Sequence, residues 1–202
     1  MSKKKIFYII FFAVLVVGFF IALGIAIPGY TKPKFPPLSV VQPFAFTNQD
    51  GQSVTEKDAL GKVTAVNYFF TTCRGICPKM NNNLKPVYEK FKNEPGFLML
   101  SFTCDPETDS VARLKRFTDS LGIDTRKWIF LTGRKDSLYN VARHSYKIDD
   151  PKNFVTRIED DFLHTQFIAL VNRKGEVVRV YDGIKASEMR AMESDIEKLL
   201  EE

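Results

Sequence analysis

Two cysteines with three residues between them, Cys73 and Cys77, form a C-x-x-x-C motif that is directly followed by Pro78. Cysteine thiolates are nucleophiles and soft metal ligands, and Cu(I) is a soft ion that such ligands favour. The loop is one residue longer than in C-x-x-C, so the two sulfurs could straddle a metal ion or close a disulfide. The motif predicts a copper site, with a metal-free redox pair and two inert buried cysteines as alternatives.

Two further residues could complete a metal site. His164 lies just before a predicted strand and could supply an imidazole ligand, although a single histidine is more often a structural or surface residue. Cys104 follows another predicted strand and could be a fourth ligand, as in zinc sites, a resolving thiol or a small buried residue. The other histidine, His144, ends a predicted helix and is expected to be solvated.

The elements around the cysteines place them where the chemistry of α/β sheets usually gathers. Residues 62–70 are nearly all β-branched, aromatic or apolar, which is typical of a strand buried on both faces. Residues 78–93 have apolar residues at helical spacing, and Pro78 suits the first helical position. Cys77 is then expected at the helix cap and Cys73 in the preceding loop, with Gly75 allowing the turn. A helix N-terminus lowers thiol pKa values.

The rest of the chain alternates strand and helix patterns. Strands are predicted at 97–103, 128–132, 166–172 and 176–181, and helices at 109–121, 136–144 and 186–200. The last two strands flank Arg173-Lys174-Gly175 and form a predicted hairpin. This order of elements predicts an α/β domain with a mixed central sheet, of the thioredoxin-like type.

Composition limits the function classes. The chain has 202 residues, of which 45% are hydrophobic and 26% charged, so collagen-like, low-complexity and disordered classes are excluded. Three cysteines are too few for a disulfide scaffold. The net charge is +5, but the first 27 residues contribute three lysines and no acid, and the remainder has 26 basic and 24 acidic residues. This near balance of charge leaves no excess of basic residues to attract nucleic acid, so a nucleic-acid partner is not expected.

The N-terminal segment predicts a membrane anchor. Residues 6–27 contain no charge and would form a helix about 33 Å long, enough to cross a hydrocarbon core of about 30 Å. Residues 1–5 carry Lys3, Lys4 and Lys5 and are expected in the cytoplasm by the positive-inside rule. The expected location is the bacterial inner membrane, with the domain facing the periplasm or the cell exterior. Cleavage as a signal peptide after Gly24-Ile25-Ala26 is the alternative.

A proline-rich segment follows the predicted anchor. Residues 28–45 contain five of the ten prolines, and proline removes backbone donors and fixes φ. This segment is predicted to be an extended tether that holds the domain away from the membrane. Residues 46–202 are then expected to form the folded domain.

Three segments together resemble the SCO/SenC family of membrane-anchored, thioredoxin-fold proteins of cytochrome c oxidase assembly. They are residues 67–73 continuing to Cys77-Pro78, residues 103–109, and His164-Thr165 followed by the hairpin through Gly175 and Asp182-Gly183. The resemblance covers roughly residues 40–200, and the predicted anchor fits it.

The resemblance implies that Cys73, Cys77 and His164 are copper ligands, for Cu(I) with Cu(II) as a second candidate. It implies a membrane-bound assembly factor rather than a turnover enzyme. The implied partner is cytochrome c oxidase subunit II or a related copper protein, to whose dinuclear site the chain delivers copper, or whose cysteines it reduces. Asp105-Pro106 resembles the structural turn of the family.

Two residues depart from the family pattern. Cys104 stands where relatives often have a small or apolar residue, and Leu163 stands where many carry Asp directly before the histidine; here Asp160 and Asp161 lie upstream. Three hypotheses follow: a copper-binding assembly factor, a membrane-tethered thiol–disulfide oxidoreductase that needs only the two cysteines, and a peroxidase-like enzyme. The peroxidase hypothesis leaves Cys77 and His164 unexplained.

Overall fold

The computed structural model describes residues 2–26, 35–153, 157–158 and 160–202. Two compact units divide the chain, Met1–Phe35 and Pro36–Glu202. The first unit contains helix α1, Lys3–Ala26. Within the described residues, α1 is the one helix long and apolar enough to cross a membrane. Its apolar side chains are exposed all round between residues 6 and 21, as expected for a helix whose surroundings are lipid. By length and composition, α1 is suited to be the predicted single anchor.

The second unit is built on one mixed sheet. In the described residues its strands are β1 Ser39–Val40, β2 Ala45–Asn48, β3 Ser53–Thr55, β4 Val63–Phe69, β5 Phe97–Thr103, β6 Trp128–Thr132, β7 Phe167–Val171 and β8 Glu176–Asp182. They are ordered β1-β8-β7-β4-β5-β6-β2-β3. Strands β4, β5 and β6 are parallel, and β7 is antiparallel to β4. The mixed α/β sheet that the sequence predicts is confirmed.

Helices connect these strands and cover the sheet. They are α2 Ile76–Phe91, α3 Val111–Leu121, α4 Lys135–Asn140 and α5 Ala186–Leu200. All residues of β4 and β5 are buried, which explains why both are mostly apolar or β-branched in the sequence. Gly122 ends α3 in the left-handed conformation, with φ 63°, as a C-terminal glycine does.

The beginning of the folded unit differs from the prediction. The boundary lies at Pro36, so residues 36–45 belong to the sheet unit and the predicted 28–45 tether is too long. Strand β1 pairs with β8, and Phe44 is buried against the rings of Phe46 and Phe102. Proline composition could not show this, because proline is compatible with short edge strands as well as with an open tether. Residues 27–34 lie outside the described part of the chain.

The helix predicted at 136–144 is two segments. Helix α4 ends at Asn140, and a π-helix, Val141–Ser145, continues it. π-Helical turns are uncommon and often occur near functional sites. His144 on this turn is exposed, as predicted.

Candidate metal centre

The loop between β4 and α2 carries the C-x-x-x-C motif. Cys73 lies in this loop and is half-buried, whereas Cys77 is buried with 6% of its surface exposed. Helix α2 begins at Ile76 with Gly75 as its N-cap. Cys77 is therefore the second helical residue and Pro78 the third, which corrects the predicted cap and first positions. Both places lie in the first helical turn, where a missing proline N–H removes no helical hydrogen bond.

The two thiols are hydrogen-bonded and their pKa values are shifted in opposite directions. Burial raises the pKa of the Cys77 thiol to about 12, and its hydrogen bond to the Cys73 sulfur favours the protonated form further. Burial also acts to raise the pKa of Cys73. Hydrogen bonds from the Cys77 thiol and from backbone N–H groups at the start of α2 outweigh this effect, so the pKa of Cys73 is lowered. Cys73 is therefore the thiol that ionises first.

The third cysteine lies beside the same strand end. Cys104 directly follows β5, and its N–H donates to the Phe69 carbonyl over 2.7 Å. Its side chain is buried, with 3% of the residue exposed, and burial raises the pKa of its thiol well above the ordinary value. The sequence left its role open; the structure makes it a neutral thiol in the wall of the site.

His164 lies near the same edge of the sheet as the cysteine loop, just before strand β7. Because β7 is antiparallel to β4, the beginning of β7 lies beside the carboxyl end of β4, where Ile168 pairs with Asn67. The His164 residue is exposed. Its ring packs against Phe162 with 4.6 Å between centroids and lies 6.4 Å from the Phe70 ring.

One cavity of about 340 Å³ brings the predicted site residues together. Its lining includes Cys73, Cys77, Cys104 and His164. Among the described residues, however, no three His, Cys, Asp or Glu side chains are close enough together to hold a metal ion in this arrangement. The donor set suits a soft cation because two of its three members are cysteine sulfurs. These two sulfurs are already close enough to each other to form a hydrogen bond. Binding through all three predicted ligands requires their side chains to come closer together than they are here.

A buried carboxylate that the sequence interpretation overlooked supports the cysteine loop. Asp109 is fully buried and accepts hydrogen bonds from the Thr71 N–H, over 3.0 Å, and from the Thr103 hydroxyl, over 2.7 Å. It thereby ties the loop before Cys73 to the end of β5. The Asp109 N–H donates to the Asp105 carbonyl over 2.8 Å, which closes the predicted turn. The available signal was an acidic residue at the start of the helix predicted at 109–121, too general to assign this role.

The sequence matches known proteins along most of its length. The family model SCO1/SenC matches residues 33–201. The SCO1 protein homolog of Bacillus subtilis strain 168 is 32% identical over 160 residues, which are 77% of this chain and 80% of that protein. The chain covers 41% and 49% of the mitochondrial SCO1 proteins that it matches in Arabidopsis thaliana and Saccharomyces cerevisiae.

Solved structures give the same assignment. BsSco, described as having a disulfide switch and as a member of the Sco family of cytochrome c oxidase assembly proteins, is 30% identical with a TM-score of 0.68, covering 83% of this chain and 98% of that one. Arabidopsis thaliana ScoI, solved with copper bound, is 24% identical with a TM-score of 0.62, covering 81% of this chain and all of that one, and shows the shared fold. The match to the family model and these likenesses establish that this chain belongs to the SCO1/SenC family.

Proposed function

We propose that this protein is a membrane-anchored copper-binding protein that assists assembly of the dinuclear copper centre of cytochrome c oxidase. Cys73, Cys77 and His164 bind the copper that it delivers. The observation that carries the proposal is the single cavity lined by two hydrogen-bonded thiols and an imidazole. The similarity to BsSco, a member of a family of cytochrome c oxidase assembly proteins, supports cytochrome c oxidase as the destination of the copper.

The three proposed ligands differ in how readily they bind and release the copper ion. Cys73 supplies a thiolate readily because its pKa is lowered, whereas Cys77 must lose a proton that burial retains. Binding therefore releases protons and strengthens as pH rises. His164 lies at the exposed rim, where a partner such as oxidase subunit II or a related copper protein can displace it first. Ligand exchange then transfers the ion to the partner, and the buried Cys77 gives up its bond to the ion and takes back its proton.

The proposed location follows from charge. Lys3, Lys4 and Lys5 at the start of α1 favour a cytoplasmic N-terminus, so the second unit would lie outside the cytoplasmic membrane, facing the periplasm or cell exterior. Copper centres of an oxidase that face this side would then be within reach of the site.

His164→Ala tests the ligand set, with His144→Ala as the matched control because these are the two histidines of the chain. We expect His164→Ala to weaken Cu(II) binding by about 100-fold or more and Cu(I) binding by less, since imidazole matters most to the harder ion. His144 is exposed on the π-helix, away from the cavity lining, so its variant should match the unchanged protein.

The measurement is anaerobic titration of the full chain in detergent with each ion, in competition with a chromophoric chelator. The absorption spectrum of the Cu(II) form provides a second readout, because loss of a nitrogen ligand alters it. Equal affinities and spectra for the two variants would remove His164 from the site.

A second function, thiol–disulfide oxidoreductase for an exported partner, is favoured by the unequal thiols. Cys73 is the more exposed and the more acidic, which suits an attacking thiolate, and Cys77 is buried directly behind it. Cys73 attacks a partner disulfide and forms a mixed disulfide, releasing one partner thiol. Cys77, losing its proton, then attacks Cys73, so that a Cys73–Cys77 disulfide forms and the partner leaves reduced.

Cys77→Ser tests this second function, because it removes the resolving thiol and leaves the mixed disulfide in place. We expect the variant, expressed in cells, to accumulate a covalent adduct that a reductant releases. Cys73→Ser is the matched control and should form far less adduct, since the remaining thiol is buried. Equal absence of adducts in both variants would contradict the oxidoreductase function and leave copper binding as the function of the pair.

A further inference from the structure

A single hydroxyl joins the inner wall of the cavity to the segment that carries His164. The Tyr139 hydroxyl donates to the Cys104 carbonyl over 2.7 Å and accepts from the Leu163 N–H over 3.2 Å. Tyr139 is 1% exposed, so both bonds are shielded from water. The hydroxyl thus donates one hydrogen bond and accepts another, and it links Leu163, the residue before His164, to Cys104, the residue that directly follows β5.

A buried guanidinium fixes the same segment two residues earlier. Arg143 lies on the π-helix, and its side chain is 4% exposed. Its two terminal nitrogens donate to the two carboxylate oxygens of Asp161 over 2.7 and 3.1 Å, and its Nε donates to Asp149 over 2.7 Å. The guanidinium carbon lies 5.6 Å from the centre of the Tyr139 ring. The paired geometry fixes Asp161 in orientation as well as in distance.

The segment is also held beyond His164. The Thr165 hydroxyl donates to the Ile148 carbonyl over 2.7 Å, and Thr165 is buried. Leu163 is 2% exposed and packs into the hydrophobic core. His164 is thus an exposed residue between two buried and anchored neighbours, so its backbone is fixed while its imidazole remains free to turn.

We propose that Tyr139 is a positioning residue for His164. With Arg143 behind it, Tyr139 fixes the backbone at Leu163, so that the imidazole enters the cysteine cavity by rotation of its side chain and not by movement of the loop. The inference rests on the proposed function in that His164 is taken to bind copper. The hydrogen bond from the Leu163 N–H to Tyr139 is present without copper, so it can be tested separately in the metal-free protein.

Tyr139→Phe is the variant of choice, because it removes the hydroxyl and retains the ring beneath Arg143. In the metal-free full chain in detergent, we expect amide hydrogen exchange at Leu163 to accelerate by about fivefold or more, since that amide loses its acceptor. Cu(II) affinity should fall by about 10- to 100-fold, the usual effect of removing a group that orients a ligand. The spectrum of the bound ion should change with it.

Tyr181→Phe is the matched control. Tyr181 is also 1% exposed, and its hydroxyl donates to the Asp195 carboxylate over 2.8 Å, away from the lining of the cavity. The control loses the same chemical group at the same degree of burial, and should leave both Leu163 exchange and copper binding unchanged. A second variant, Asp161→Asn, removes the charge that faces Arg143 and should also accelerate exchange at Leu163.

The double variant of Tyr139→Phe and His164→Ala separates the two proposals. If Tyr139 acts through His164, the double variant binds copper no more weakly than His164→Ala alone. Unchanged Leu163 exchange in Tyr139→Phe overturns the anchoring. Faster exchange with unchanged copper affinity overturns the positioning role, provided that His164→Ala weakens binding. If His164→Ala has no effect on copper, the proposed ligand set fails, and the Leu163 exchange rates still decide whether Tyr139 holds the segment.

Discussion

Cys77→Ser is expected to lower the Cu(I) affinity of the chain by more than ~100-fold, beyond the usual effect of losing a group that only orients a ligand. Serine cannot replace the thiolate, because a hydroxyl is a hard donor that stays protonated at neutral pH. The serine hydroxyl can still donate a hydrogen bond to the Cys73 sulfur, so the loss of affinity reports the missing second thiolate. Anaerobic titration against a chromophoric Cu(I) chelator measures the change.

Cys104→Ala is the control for this prediction, since the chain offers a third thiol in the same cavity. It is expected to retain Cu(I) affinity within about threefold, because burial keeps that thiol protonated and outside the ligand set. A loss as large as that of Cys77→Ser would contradict this assignment. It would make Cys104 a ligand and the site a four-coordinate one of the Cys₃His type.

Arg143→Met is expected to destabilise the second unit by about 3–5 kcal/mol, the usual cost of removing one partner from a buried ion pair. Arg143 faces the carboxylates of Asp149 and Asp161, which are almost as buried as the guanidinium. Methionine leaves both acids without their cation in a site that is largely shielded from water. Urea unfolding followed by the fluorescence of Trp128, which is buried at the sheet, measures the difference.

Arg179→Met provides the comparison for that measurement. Arg179 also pairs with a buried carboxylate, Asp195, but its own side chain is 53% exposed and Lys198 pairs with the same acid over 2.9 Å. Water and the second cation compensate for the loss, so about 1 kcal/mol or less is expected. Equal costs at the two arginines would show that the burial of Arg143 contributes nothing to stability.

Local patterns predicted the central part of the fold. Three features are each contained in fewer than about 20 consecutive residues, where periodicity is informative: the mostly apolar strands β4 and β5, the hairpin around Gly175, and the start of α2 beside the cysteines. The predicted strand of 97–103 coincides with β5, and the final helix with α5. The short strands β1, β2 and β3 were missed, because two to four residues are too few to show a period.

The contacts that hold the His164 segment in place could not be predicted from local sequence patterns. Tyr139 meets Leu163 across 24 positions, and Arg143 meets Asp161 across 18. Neither spacing follows a helical or strand period, and composition does not show which of the many charges are buried. The orientation of His164 was equally inaccessible, since an exposed imidazole can adopt several rotamers, and the one seen lies against the Phe162 ring.

The unequal exposure of the three thiols also determines how this protein would withstand oxidative damage. Peroxide or hypochlorite arriving from solvent meets Cys73 first and converts it to a sulfenic acid. The Cys77 thiol, which is hydrogen-bonded to that sulfur, is placed to condense with it to a disulfide with release of water. That disulfide would oppose irreversible sulfinic damage at Cys73, and burial shelters Cys104 from the same oxidants.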